Sequence, residues 1–326
     1  MSVGSSSQRV AEAVPQASAS LPGWRKLPPS YAIPDRPPTL DEARAYCQHL
    51  ARSHYENFSV ATWFLPRRLR PHFYSVYAYC RISDDLGDEV GDPRESLDLL
   101  DAWEAELDAC YGGSPRHPVF VALAETVRAC DIPRQPFADL LKAFRQDQTV
   151  QRYATFDDLL GYCRNSANPV GRLVLYVCGY RDETRQRLSD STCTALQFAN
   201  FWQDVTVDYA KGRIYLPVED LLKFGVSEAD IAERRATPAF LELMRFQVAR
   251  ARKWFELGLP LAAQVDASLA LDIELFTRGG QEILNAIEAQ GFDVLRSRPA
   301  ISKARKLWLV ARALARRPGA ALRTRA

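Results

Sequence analysis

The chain has 326 residues, 47% apolar and 25% charged, enough for one large core and too apolar for a disordered protein. Its formal charge of +2 is unevenly spread: ten of the 42 Lys/Arg and none of the 40 Asp/Glu fall in residues 296–326, so the first 295 residues carry −8. Seven scattered cysteines without a CxxC pair and four histidines without ligand spacing argue against a disulfide framework or a zinc site. The absence of a signal-like or membrane-spanning apolar run leads to an expected cytoplasmic location.

Residues 1–38 hold seven prolines among Ser, Ala and Gln without periodicity, and are expected to form a disordered arm. Thr39-x-x-Glu42 makes a capping box for a first helix to about Ser53. A polar and aromatic junction, Ser53 to Phe58, precedes a helix opened by Pro66, with Leu69, Phe73, Val76 and Cys80 on its core side. Asp92-Pro93 restarts a helix that stops at Gly112-Gly113, and helices over about 117–130 and 134–149 follow. Thr155-x-x-Asp158 caps a helix that must bend at Asn168-Pro169, because proline removes a backbone donor. A long helix runs from Asp182 to about Asp208 and ends in the loop Lys211-Gly-Arg-Ile-Tyr-Leu-Pro217. Short helices near 218–234 and long ones over about 238–263 and 266–290 complete the body, and an amphipathic helix near 301–316 lies in the basic tail. With no sustained period-two run and no phosphate-cradling glycine loop, the fold is expected to be all-α. One helical body over 39–295 would be flanked by the arm 1–38 and the basic segment 296–326.

Two stripes carry the chemistry. At about 100° per residue, Tyr77, Arg81, Asp84 and Asp88 project at roughly 0, 40, −20 and 20°, placing two carboxylates about 6 Å apart along one helix face. Gln197, Asn200, Asp204 and Asp208 project at roughly 0, −60, −20 and 20° on a second helix. One Asp-x-x-x-Asp alone is more often a solvated face. Two such stripes, with Arg213 and Lys211 just beyond the second, point to a diphosphate held through Mg2+, a hard cation that takes carboxylate and phosphate oxygens.

Tyr77-Ala-Tyr-Cys-Arg-Ile-Ser-Asp-Asp-Leu-Gly-Asp88, Gln197 to Asp208, and Gly212-Arg-Ile-Tyr-Leu-Pro217 together resemble the head-to-head isoprenoid synthases, the squalene and phytoene synthases, over about residues 40–315. The resemblance implies a single helical bundle around a deep apolar cavity, with both acidic motifs at its mouth. It implies Asp84, Asp88, Asp204 and Asp208 as Mg2+ ligands, and Tyr77, Arg81, Tyr162, Gln197, Asn200 and Arg213 as contacts of a prenyl diphosphate. Asp147 matches an acid near the site in relatives.

The sequence departs from the common pattern at Glu56-Asn57-Phe58, at Ser166-Ala-Asn168-Pro169-Val-Gly171, at Gln203-Asp204 and at Gly279-Gly280. His54 to Phe58, Ser166 to Gly171 and Phe198 to Asp204 resemble the hydroxysqualene synthase branch of the bacterial hopanoid pathway, whose members convert presqualene diphosphate and water to hydroxysqualene. On that basis His54, Asn57, Phe58 and Gln203 are expected at the substrate, and Glu56, Asn57 or Asn168 is expected to position the water. Phe58, Tyr77, Phe198, Phe201 and Trp202 are expected to wall the cavity and shield cations. The rival readings are a squalene- or phytoene-type synthase joining two prenyl diphosphates and a non-catalytic helical assembly factor. The second acidic motif disfavours a terpene cyclase. Leu307, Trp308, Leu309, Val310 and Leu314 beside Lys and Arg suggest peripheral contact of the tail with the inner membrane surface rather than nucleic acid binding, for which no recognition motif is present.

Overall fold

The structure, a computed structural model, describes residues 21–53, 66–302 and 305. Among these residues it is all-α, its one β element being an isolated bridge between Arg152 and Ile214. The helices are α1 (Leu40–Ser53), α2 (Arg70–Asp88), α3 (Pro93–Gly112), α4 (Pro118–Cys130), α5 (Gln135–Gln146), α6 (Phe156–Ser166) and α7 (Asn168–Val177). They continue with α8 (Glu183–Gln203), α9 (Val205–Ala210), α10 (Val218–Phe224), α11 (Glu228–Ala232), α12 (Pro238–Gly258) and α13 (Ala267–Ala289).

Local chemistry sets most of these boundaries. Asp92 accepts from the backbone N–H groups of Arg94 and Glu95 ahead of Pro93, so α3 starts with its orphan donors satisfied. Thr155 and Asp158 close a reciprocal capping box on α6. The expected bend at Asn168-Pro169 is a full break at Ala167, which divides α6 from α7. Pro66 opens only a 3-10 turn, Arg67–Leu69, and α2 begins at Arg70.

Two apolar clusters flank the site. In the first, α1 to α5 bury Tyr79, Trp103, Phe120 and Phe137; Tyr79 donates to the Phe137 carbonyl at 2.8 Å and Trp103 Nε1 to Ser83 Oγ at 3.0 Å. In the second, α6, α8, α12 and α13 bury Phe198, Trp202, Phe240 and Phe255. A cavity of about 920 Å³ opens where α2 and α5 to α9 meet α13, with residues of both clusters in its wall.

Two expectations need correction. Residues 21–38 belong to the folded body: Trp24, Leu27, Tyr31 and Ile33 are buried, Lys26 pairs with Glu95 at 2.9 Å, and Tyr46 donates to the Ser30 carbonyl at 2.8 Å. A Cβ at Gly23 would stand 2.8 Å from Leu99 Cδ1, so a larger residue there would require the Leu99 side chain to shift. Separate apolar anchors seated one by one in α1 to α3 replace the periodicity that a helix would have shown. The helix expected to reach Asp208 stops at Gln203: Asp204 leaves helical geometry at φ −105°, ψ 16°, and a short α9 carries Asp208. Of the tail, the helix expected near 301–316 lies outside the described residues except for Ile301, Ser302 and Arg305.

Candidate active site

The C-terminal part of α2, the end of α8 and the short α9 deliver Tyr77, Arg81, Asp84, Asp88, Gln197, Asn200, Asp204 and Asp208 to one cavity, with Tyr162 from α6 and Lys211 and Arg213 from the loop after α9. Asp88 receives Lys211 Nζ at 3.0 Å on one oxygen and Arg213 Nη2 at 3.0 Å on the other. Burial raises its pKa, but these two cations outweigh that and hold the carboxyl below its usual range. Arg81 grips Asp85 through Nε at 3.0 Å and through Nη2, and lies 3.7 Å from Asp84. Asp85, 5% exposed, also accepts from the Tyr31 hydroxyl at 2.8 Å, so a side chain off the acidic stripe fixes the arginine on it.

The remaining acids are less well compensated. Burial, then the neighbouring Asp88, pushes Asp84 up to about 6; burial, then Asp204, pushes Asp208 up to about 7. Asp147 is pushed up to about 7, mainly by burial, while accepting from the Tyr162 hydroxyl at 2.9 Å through one oxygen; the other has no partner. Asp204 is covered by Arg298, whose Nε and Nη2 reach its two oxygens, the latter at 2.9 Å. Arg298 stands 94 residues away in sequence, and only the basic bias of the tail hinted at it. The aromatic wall consists of Tyr77, Phe73, Phe144, Tyr162, Phe276 and the stacked pair Phe201 and Tyr215, centroids 3.8 Å apart.

Several expected contacts lie elsewhere. Phe198 and Trp202 are fully buried, stacked on each other in the second cluster, and do not line the cavity. Asn168 is 6% exposed, accepts from Thr194 Oγ1 at 2.9 Å and is absent from the wall, so its side chain ties α7 to α8 and does not line the cavity. Gln203 faces the C-terminal segment, donating to the Pro299 carbonyl at 2.6 Å. His54, Glu56, Asn57 and Phe58 lie outside the described residues. Asp147, Lys211 and Phe201 do reach the cavity.

The donor set suits a hard divalent cation. Every candidate ligand is a carboxylate oxygen, and burial with neighbouring negative charge leaves Asp84 and Asp208 short of compensation. Among the described residues no three acids form a ready-made metal cluster, so ions here would be completed by water and ligand oxygens, the coordination Mg2+ favours.

Comparison with known proteins agrees with this geometry. A sequence profile described as Squalene/phytoene synthase matches residues 51–305. The crystal structure of squalene synthase HpnC from Alicyclobacillus acidocaldarius superposes with a TM-score of 0.75 at 46% identity, covering 83% of this chain and 98% of that one. A dehydrosqualene synthase in complex with ligand gives a TM-score of 0.77 at 26% identity, covering 85% and 97%. The phytoene synthase of Arthrospira platensis is 31% identical over 284 residues, 83% of this chain and 92% of its own. Matching profile, relatives and helical architecture agree with the paired acidic stripes: the chain belongs to the squalene/phytoene synthase family, enzymes of head-to-head prenyl diphosphate condensation.

Proposed function

We propose that this enzyme converts presqualene diphosphate and water to hydroxysqualene, releasing diphosphate. The observation that carries this reading is the grouping of the cations. Arg81, Lys211 and Arg213 all line the cavity at the end of α2, tied to Asp84, Asp85 and Asp88, which suits one diphosphate leaving from one place. The 46% identity with squalene synthase HpnC is consistent with a product in the squalene series.

In this reading the chain's own groups do three things. Arg81, held from behind by Asp85, presents its guanidinium to the departing diphosphate, while Lys211 and Arg213 exchange Asp88 for phosphate oxygens. Bound Mg2+, held by Asp84, Asp88, Asp204 and Asp208, would supply further positive charge at the leaving group. The rings of Tyr77, Phe201, Tyr162 and Tyr215 shield the allylic cation, each contact contributing about 1–2 kcal/mol when desolvated. Diphosphate leaves with the electrons of its C–O bond, and the resulting cyclopropylcarbinyl cation opens its ring by breaking a C–C bond to give that allylic cation. Water captures it, its oxygen forming the new C–O bond and its proton passing to the departing diphosphate or to solvent. Positioning of that water is assigned to Glu56 or Asn57.

A second reading has its own observation. Arg298 on Asp204 makes another basic pole, as joining two farnesyl diphosphates would require, and the phytoene synthases are relatives. Purified protein with Mg2+ and without NADPH, given presqualene diphosphate and, separately, farnesyl diphosphate, decides between them by mass spectrometry. Hydroxysqualene from presqualene diphosphate alone is expected; presqualene diphosphate or a phytoene-type product formed from prenyl diphosphates would overturn the proposal.

A further inference from the structure

Far from the cations, the same cavity contains a carboxyl that no step above uses. Asp272, in the second turn of α13, lines the cavity, is 4% exposed, and neither of its oxygens has a hydrogen-bond partner. On either side of it in the same helix, Leu269, Ile273 and Phe276 also line the cavity, and Leu269 and Ile273 cluster with Leu175 and Leu261 of the same lining. Burial alone pushes it up to about 8, so at neutral pH the group is mainly a neutral acid, still needing hydrogen bonds on both oxygens. No ion pair or cap is gained in return, so folding does not explain its presence.

Its depth in the cavity can be read from the helices. Leu188 of α8 packs in one cluster with Leu269, and a Cβ at Gly280 would meet Leu196, so α8 and α13 run the same way. A Cβ at Gly258, just before Leu261, would meet Thr192. Asp272 is therefore level with Ser189 to Thr192, about 18–22 Å along α8 from Asp204 at helical rise. The carboxyl thus stands well away from the acids and cations at the cavity's other end.

We propose that Asp272 is a specificity-determining residue: its carboxyl keeps water at the end of the cavity away from the acids and limits bound prenyl chains to three isoprene units. A chain of that length ends short of the acid and leaves its water in place. One isoprene more pushes apolar carbon against it and strips its hydrogen bonds, a mismatch that discriminates strongly because a buried polar group is left unpaired. The inference rests on the cavity being a prenyl-chain site, but on no particular product.

The test is calorimetric binding of farnesyl and geranylgeranyl thiolodiphosphates, which do not ionise readily, with Mg2+ present. The wild type should favour the shorter chain about tenfold or more. Asp272→Leu should reduce that preference about tenfold and raise the melting temperature, because it replaces an unpaired buried acid with a hydrocarbon. Asp272→Asn, still hydrated, should keep the preference. If the leucine variant does not fold, Asp272→Ala must show the same relaxation. A wild type without chain preference, or a ratio unchanged in the leucine or alanine variant, overturns the proposal. A relaxed ratio in a protein that fails to turn over presqualene diphosphate leaves this inference standing and removes the assigned product instead.

Discussion

Substituting Tyr31 by Phe removes a single oxygen at the boundary between the N-terminal segment and the site. Tyr31 is 2% exposed and Asp85 5% exposed, and the 2.8 Å bond between them ends on the oxygen that also accepts from Arg81 Nε. Loss of a buried hydrogen bond to a charged acceptor costs roughly 1.5–3 kcal/mol, so the midpoint of urea unfolding should fall by about 2 kcal/mol's worth. With its second partner gone, Asp85 no longer pins the guanidinium, and calorimetric binding of pyrophosphate with Mg2+ should weaken about threefold to tenfold. Stability loss alone does not identify the route, so Tyr31→Phe is repeated in an Arg81→Ala background. If Tyr31 acts by holding Arg81, the substitution has no further effect on pyrophosphate binding there. Equal weakening in both backgrounds, or none in either, refutes the reasoning.

Removing the guanidinium in Arg298→Ala should weaken pyrophosphate binding about tenfold if the arginine passes from Asp204 to phosphate; tighter binding, measured the same way, would make it a mere counter-ion. His117, wholly buried against Trp103 and Phe120, has its pKa pulled down to about 3 by burial. The folded state therefore binds fewer protons than the unfolded one below about pH 6.5, and stability should fall with pH from there, by up to roughly 4 kcal/mol near pH 3. Urea titrations across that range should show the slope, and His117→Gln should flatten it. In Gly280→Ala the added Cβ would stand 2.5 Å from Phe255 Cζ and 2.8 Å from Leu196 Cδ2. Overpacking should cost about 1–3 kcal/mol, partly offset by better helix propensity, and because Leu196 lines the cavity, prenyl-chain affinity should fall with it.

The first acidic stripe was legible because a helix converts spacing into direction, and Asp84 and Asp88 share one face of α2. Asp204 and Asp208 repeat the interval in sequence, but across the break after α8 they share the cavity and not a helix face. Gathering the four on one cavity needed only that both segments line it. What sequence periodicity cannot carry is single-residue anchoring. Trp24, Leu27, Tyr31 and Ile33 each fill a separate gap, and between prolines they show no repeat. Nor does periodicity carry a stop without a breaker: Gln203-Asp204-Val205 contains neither Gly nor Pro, yet α8 ends there. On a continuous helix Phe198 and Trp202 were candidates for the wall, but tertiary packing turns both into the second cluster. Arg298 was invisible as a site residue because its partner lies in another element, and no local pattern records such a meeting.

The break at Asp204 separates the origins of two aspartates only four positions apart. Asp204 terminates α8 and inherits its place from that long helix. Asp208 rides on α9, whose far end is tied elsewhere: Arg213 N–H donates to the Asp208 carbonyl at 2.9 Å, Ile214 N–H to Gln151 at 3.0 Å, and Arg152 Nη1 to the Gly212 carbonyl at 2.7 Å. The interval between the two carboxylates is thus adjustable from residues 151–153, without altering either acid or any residue between them. Asp208 is placed by that clasp as much as by the acidic motif that contains it.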